Sequence, residues 1–276
     1  MGFENTHSRI SRVTGSAQLR RCTNTPSPEA LPPHKGMMAY AALPANSSSR
    51  WRVLPNQPPV LDLLDCGPGA PILLTDGTVL VQDNGCRDWW KLTPDDTGSY
   101  LNGTWTQIES LPLDYSPLYH STAVLPDGRV IIEGGEYNFL HPAWTSKGAI
   151  YDPVANTWTP VAPPSFFGTC CGFNHRTIGD AQSTVLADGT YMQANCCTTQ
   201  AALLDAKTLT WTPTGSGKFD INDEEGWTLL PNGHVLTVDG TCFSPYPLAK
   251  TQKFTTPDRG NGTVLEARWC SSGIRS

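Results

Sequence analysis

Apolar residues in this chain come in short runs, and turn residues break the runs at regular intervals. The clearest stretch lies between Tyr119 and Pro160. Ala123, Val124 and Leu125 are apolar, Asp127 and Gly128 follow, and Val130, Ile131 and Ile132 are apolar again. An Asp-Gly pair between two β-rich runs is a strong local hairpin signal, because these residues tolerate the positive φ of a tight turn. An aromatic stretch from Glu136 to Trp144 comes next. Then come Gly148 to Asp152, a turn from Asp152 to Thr157, and a closing strand at Trp158. Four short strands in succession predict one antiparallel sheet.

The pattern repeats. Hairpin pairs recur at Asp76-Gly77, Asp188-Gly189 and Asn232-Gly233, each between apolar runs such as Pro71 to Leu74 and Val79 to Val81. Tryptophans close the units at Trp51, Trp105, Trp158 and Trp211, at spacings of 54, 53 and 53. A period of about 50 residues with four strands per unit is the mark of a kelch-type β-propeller. The blades are expected over about 65–108, 118–161, 180–214 and 225–270. Trp51 to Leu54 reads as a lone fourth strand, which either completes the last blade or is the remnant of a missing one. Residues 1–49 show no periodicity and are expected to be largely disordered, 50–270 to form the propeller, and 271–276 a tail.

Leu125 to Val130, reading Leu-Pro-Asp-Gly-Arg-Val, resembles the join between the first two strands in kelch-repeat propellers of the galactose-oxidase-like branch. The resemblance covers about Trp51 to Trp269 and is strongest around Gly128, where the doublet Gly134-Gly135 follows the second strand. It implies an all-β fold, a kelch-type β-propeller with about four recognisable four-stranded blades. Four is at the low end for propellers, so the ring is expected either to be incomplete or to close by mixing strands from both ends.

Composition narrows the function. The 276 residues are enough to bury a substantial core. The 25 glycines and 24 prolines suit many short strands joined by turns. A net charge of −6 gives no basic footprint for nucleic acid, and no apolar run approaches the roughly 20 residues of a membrane helix. Nine cysteines suggest an oxidising compartment. Asn46, Asn102 and Asn261 fit the N-glycosylation pattern. Both features point to an extracellular or secretory-pathway protein, although the first 35 residues hold no apolar signal core. Cys66 and Cys86 flank the first hairpin, ten residues to either side of Asp76. Cys170 and Cys171 lie at the same end of the third blade as Cys196 and Cys197. A Cys66–Cys86 bridge and one or two bridges between the vicinal pairs are expected, each contributing about 2–4 kcal/mol. Connectivity is not readable from sequence, and a four-thiolate zinc site is the rival, without Cys-x-x-Cys spacing.

Strand alternation assigns the loops to two faces. The strand 1–2 and 3–4 turns share one face and are tight. The strand 2–3 loops and blade connections share the other, and there the long segments 136–144 and 163–179 fall. Long loops on a rigid scaffold are where binding usually lives, so Tyr137, Phe139, His141 and Trp144 are binding candidates. Eight and seven residues before the hairpin pairs stand Tyr119 and His120, Asp180 and Ala181, Glu224 and Glu225. Repeat symmetry is expected to bring them to one channel rim, where the carboxylates could take a hard divalent cation or simply form a hydrated rim.

Tyr119-His120-Ser121 also resembles the copper-ligand strand of galactose and glyoxal oxidases. That resemblance implies Tyr119 and His120 as catalytic and copper-ligand candidates, since phenolate and imidazole suit Cu(II). The family further uses a cysteine-linked second tyrosine and a second histidine from a C-terminal domain, which this sequence does not present. His141, His175 and His234 are alternative ligands. The first reading is therefore a non-catalytic propeller, without cofactor, that binds a protein or glycan through its long-loop face. The alternatives are a fragment or relative of a copper radical oxidase acting on alcohols or aldehydes, and an inert truncated propeller.

Overall fold

The computed structural model describes residues 52–59, 67–169, 172–196, 198–214, 218, 221–222 and 225–237. The expected disordered segment 1–49, the tail 271–276 and the later half of the fourth blade lie outside these residues. The first sheet holds β1 (Gly67–Leu73), β2 (Val79–Asn84), β3 (Trp89–Thr93) and β4 (Thr104–Gln107) in that order. β5 (Pro117–Leu118) precedes the second sheet, made of β6 (Ser121–Val124), β7 (Val130–Glu133), β10 (Gly148–Asp152) and β11 (Thr157–Val161). Between β7 and β10, β8 (Tyr137–Asn138) and β9 (His141–Pro142) join β5 in a separate three-stranded sheet. The third sheet holds β12 (Ser183–Val185), β13 (Tyr191–Ala194), β14 (Ala201–Asp205) and β15 (Thr210–Pro213). β16 (Trp227–Leu229) and β17 (Val235–Thr237) form the start of a fourth. All pairings are antiparallel.

Each β-hairpin is fixed by the same local chemistry. The glycine at 77, 128, 189 and 233 takes φ of +82°, +87°, +87° and +82°. Its N–H reaches the carbonyl three residues back, as from Gly77 to Leu74 at 3.1 Å and from Gly128 to Leu125 at 2.9 Å. The Asp or Asn before it accepts the N–H two residues on: Asp76 from Thr78 at 2.9 Å, Asp127 from Arg129 at 3.1 Å, Asp188 from Thr190 at 3.0 Å, and Asn232 from His234 at 3.1 Å. Only the glycine needs the left-handed conformation, so the turn is a three-residue loop with a glycine bulge. Its aspartate works through the side chain.

Alternation then gives each sheet two apolar faces. On the second blade Val130, Ile132, Ala149 and Tyr151 pack with Leu80 and Trp89 of the first. Ile131 and Ile150, on the opposite face, pack with Tyr191 and Leu204 of the third. Met192 and Ala201 of the third meet Val235 of the fourth. The first strands β6, β12 and β16 lie side by side. Sheets stacked face to face about their first strands are blades of a β-propeller, and among the described residues they do not close into a ring.

The closing tryptophans do more than fill space between sheets. The indole N–H of Trp105 donates to the Asn56 carbonyl at 3.0 Å, that of Trp158 to Glu109 at 2.8 Å, and that of Trp211 to Ala162 at 2.7 Å. In all three the acceptor lies 49 residues upstream, and for Trp158 and Trp211 it follows the preceding sheet's last strand. The Trp51–Leu54 strand is not observed: Trp51 lies outside the described residues, and 52–59 forms no strand. Instead Asn56 supplies the carbonyl that Trp105 needs and donates its amide to Gly103 at 2.7 Å. Trp158→Phe keeps most of the ring contact but removes the hydrogen bond. Urea unfolding is expected to show a loss of about 1 kcal/mol, the usual net worth of one such bond; an unchanged midpoint would mean that the latch contributes nothing.

Candidate functional site

The first-strand residues at the long-loop face form a chain of polar contacts from blade to blade. His120, just before β6, lies against Gln82 of β2, with Nε2 2.7 Å from Oε1. The Gln82 amide donates to the carbonyls of Cys86 at 3.1 Å and Pro117 at 3.0 Å, which fixes its oxygen toward the ring. That oxygen can only accept, so Nε2 carries the proton, and Nδ1 accepts from the Thr122 hydroxyl at 3.0 Å. Burial depresses the His120 pKa to about 4, outweighing the nearby Ser121 carbonyl, and the ring is neutral at pH 7. The ring lies in a cleft of about 780 Å³ between β1 and β6.

The chain continues through Ser121, whose hydroxyl donates to Gln193 Oε1 at 2.7 Å on the third blade. Tyr191 donates to the same oxygen at 2.5 Å. Gln182 donates to Glu225 Oε2 at 3.0 Å, which also accepts from Thr237 at 2.7 Å. Lys218 holds Glu225 Oε1 at 2.6 Å in an ion pair whose side chains are 0% and 1% exposed. Beside the chain sits Glu133, fully buried, its two oxygens without hydrogen-bond partners among the described residues. Burial pushes its carboxyl well above the ordinary carboxylate range. It fits only because Gly148 stands opposite on β10: a Cβ there would come within 2.2 Å of Oε2.

The segment 136–144, read from sequence as a long loop, folds back as the β8–β9 hairpin. Its central residues Phe139 and Leu140 take φ of +52° and +61°, and Trp144 takes +40°. Tyr119, across from it, takes +59°. Side chains with a Cβ rarely hold this conformation, at a cost of about 1–3 kcal/mol each. The hairpin is tied down by the Phe139 N–H to Ser116 O at 2.9 Å and by Leu140, which packs on Gly85 of the first blade. Tyr119 and Tyr137 meet edge to face at 5.9 Å. Tyr119 is 59% exposed and Phe139 42%. Farther out, Trp144, Phe173 and His175 stack in sequence at 5.5 and 5.2 Å.

Symmetry therefore places the predicted rim residues just before neighbouring first strands. Of these, His120 and Glu225 join the chain, and Ser121 and Gln182 carry the rest of it. Tyr119 turns outward to Tyr137, and Asp180 precedes the Ala181–Gln182 step. His141 lies on β9 with its side chain exposed. Glu224, Cys66, Cys170, Cys171 and Cys197 lie outside the described residues, so every expected disulfide has at least one member there. Cys86 sits in the turn after β2, and Cys196 is buried. His234 follows the last hairpin turn, on the opposite face. Sequence reading missed Gln82, Glu133 and Gln193. Their one signal was a polar residue inside or directly after an apolar second-strand run. Among the described residues no three His, Cys, Asp or Glu side chains gather as a metal site, and no helix is long and apolar enough to cross a membrane.

Four-stranded antiparallel sheets stacked through their first strands define a β-propeller. Residues 117–165 match the family model for the Kelch motif. The Kelch-like protein terF of Aspergillus terreus (strain NIH 2624 / FGSC A1156) is 28% identical over 134 residues, 48% of this chain and 26% of that protein. The second of the stacked sheets, with its flanking segments, therefore carries a Kelch motif. The chain spans about a quarter of the length of that curated relative. Among solved structures, a fungal alcohol oxidase described as having catalytic diversity among the AA5 family, in complex with copper, aligns with a TM-score of 0.41 at 24% identity. That alignment covers 56% of this chain and 31% of the oxidase. Virginiamycin B lyase from Staphylococcus aureus aligns at 0.40 with 11% identity, covering 71% of this chain and 65% of the lyase.

Glu133 and His120 make opposite demands on pH. Glu133 has a folded pKa above its unfolded 4.5, so it contributes stability at low pH that is lost as pH rises past 4.5. His120 has a folded pKa of about 4 against 6.5 unfolded, so its contribution is present above 6.5 and lost as pH falls toward 4. Glu133→Gln is expected to match wild type near pH 3.5 and to exceed it increasingly above pH 4.5, by up to about 1.4 kcal/mol per pH unit. Chemical unfolding across pH 3.5–8 measures this. A variant less stable than wild type at pH 8 would show that Glu133 is ionised and paired.

Proposed function

We propose that this kelch-repeat propeller is a non-catalytic binding module whose long-loop face docks a protein or glycan partner. The observation that carries this is the exposed aromatic ridge of Tyr119, Tyr137 and Phe139, two of them on strained left-handed backbone that the surrounding packing holds in place. Strain of this kind collects at ligand clamps, and exposed aromatic patches mark interaction sites. His141 and Trp144 flank the ridge. Phe139→Ser and Tyr119→Ser are expected to leave the melting temperature nearly unchanged. They are expected to abolish the ligands that wild type retains on a glycan array and in proximity cross-linking to extracellular proteins. Retention of every ligand by the double variant would rule the ridge out.

The second reading is the copper radical oxidase, and it draws on Tyr119 and His120 at the mouth of the 780 Å³ cleft. As arranged, these residues do not fit the metal. Both ring nitrogens of His120 are engaged, by Gln82 and Thr122. The Tyr119 ring is turned outward. Copper titration followed by electron paramagnetic resonance is expected to give no signal dependent on His120. A stoichiometric Cu(II) signal that vanishes in His120→Ala, with peroxide formed from alcohols or aldehydes, would favour the oxidase instead.

The expected Cys66–Cys86 bridge stays part of the proposal. It is supported by the ten-residue spacing of Cys66 and Cys86 on either side of Asp76, and it fits an extracellular or secretory setting.

A further inference from the structure

A second cleft, of about 500 Å³, opens on the outer part of the second blade at the same face. The two long segments that sequence singled out contribute to it, 136–144 through Asn138 and Ala143 and 163–179 through Pro163 and His175, together with the 112–115 connection, 145–148 and the end of β11. Its size falls within the range of small-ligand sites, roughly 300–1,000 Å³. Pro112, Ala143, Pro160, Val161 and Pro163 give it apolar lining, and buried Tyr115 and Thr145 join them. Its more exposed polar groups make a rim. Asp114 and Lys147 form an ion pair there, and Ser146 contributes a hydroxyl. His175 donates from Nδ1 to the Arg176 carbonyl at 2.8 Å, which leaves Nε2 as an acceptor. The His175 ring is also stacked on Phe173.

We infer that this cleft binds a short neutral saccharide. A formally charged ligand gains little from a rim that already neutralises itself through Asp114 and Lys147. A wholly apolar ligand would strand the rim donors and acceptors. An extended peptide pairing along β11, the outermost strand of its sheet, meets Pro160, which has no N–H to offer a ladder. A sugar satisfies all three constraints. Its C–H faces lie against prolines, Val161 and the stacked ring, and its hydroxyls both donate to Asp114 and His175 Nε2 and accept from Lys147 and Ser146. The inference rests on the reading that the long-loop face is the binding face, but it uses side chains outside the aromatic ridge.

Saturation-transfer NMR on the full chain with cellobiose, lactose and N,N′-diacetylchitobiose tests it, with digalacturonate as the charged comparator. Transfer to at least one neutral disaccharide and none to digalacturonate is expected. Ala143→Phe, which fills the cleft, and Asp114→Ala with His175→Ala, at exposed positions that leave the fold intact, are each expected to weaken binding about tenfold or more, as loss of two hydrogen bonds would. Phe139→Ser should bind the disaccharide as wild type does, which separates this cleft from the ridge. Absence of transfer to all three sugars, equal transfer to digalacturonate, or binding unchanged in the Asp114/His175 variant would overturn the assignment, whatever the ridge variants do.

Discussion

A sheet whose two faces are both apolar cannot stand alone in water, and the rest of this structure answers that constraint. Val130 and Ile132 point to one neighbour and Ile131 to the other, because side chains on a strand alternate. The second blade therefore demands a blade on each side. The tryptophan latches serve the same end. Trp158 and Trp211 each bury part of a large ring against a sheet and satisfy the indole N–H on the segment that leaves the preceding unit, and Trp105 does the same on the 52–59 segment. Each unit is thereby tied to the one before it by packing and by a directional bond.

Stacking about the first strands has a second consequence. It brings together side chains that are polar for different reasons. Gln82 and Gln193 sit on second strands, yet both reach a first strand of a neighbouring blade, at His120 and Ser121. A buried amide must find partners or destabilise the core, and here the neighbouring blade supplies them. Glu133 is the exception. It keeps its proton instead, and the absence of a side chain at Gly148 makes the room. The polar chain thus fixes the relative placement of blades, while the exposed residues above it remain available for a partner.

The ridge depends on the same scaffold. Phe139 and Leu140 hold a turn that would ordinarily call for glycine or asparagine. The conformation persists because Leu140 is locked against Gly85 and the Phe139 N–H is spoken for by Ser116. Blade one and the connection that leaves it, not the hairpin's own sequence, pin the strained turn.

The 53-residue rhythm, the Asp-Gly hairpins and several strands were legible in the chain, one to the residue at Gly148–Asp152. They are local: turn chemistry acts within a few residues, and alternation within one strand. The rim was half legible. Repeat alignment put Tyr119, His120, Asp180 and Glu225 just before adjoining first strands. Which of them face one another was not readable, because that depends on the angle between blades and on partners such as Gln82, 38 residues from His120. The β8–β9 hairpin was hidden for a related reason, since its turn contradicts local propensity and is held by contacts from the 114–118 connection and from Gly85 of the first blade. Sequence determined the repeating sheet. Tertiary structure decided which polar groups were buried, which aromatics were strained into the open, and what each met there.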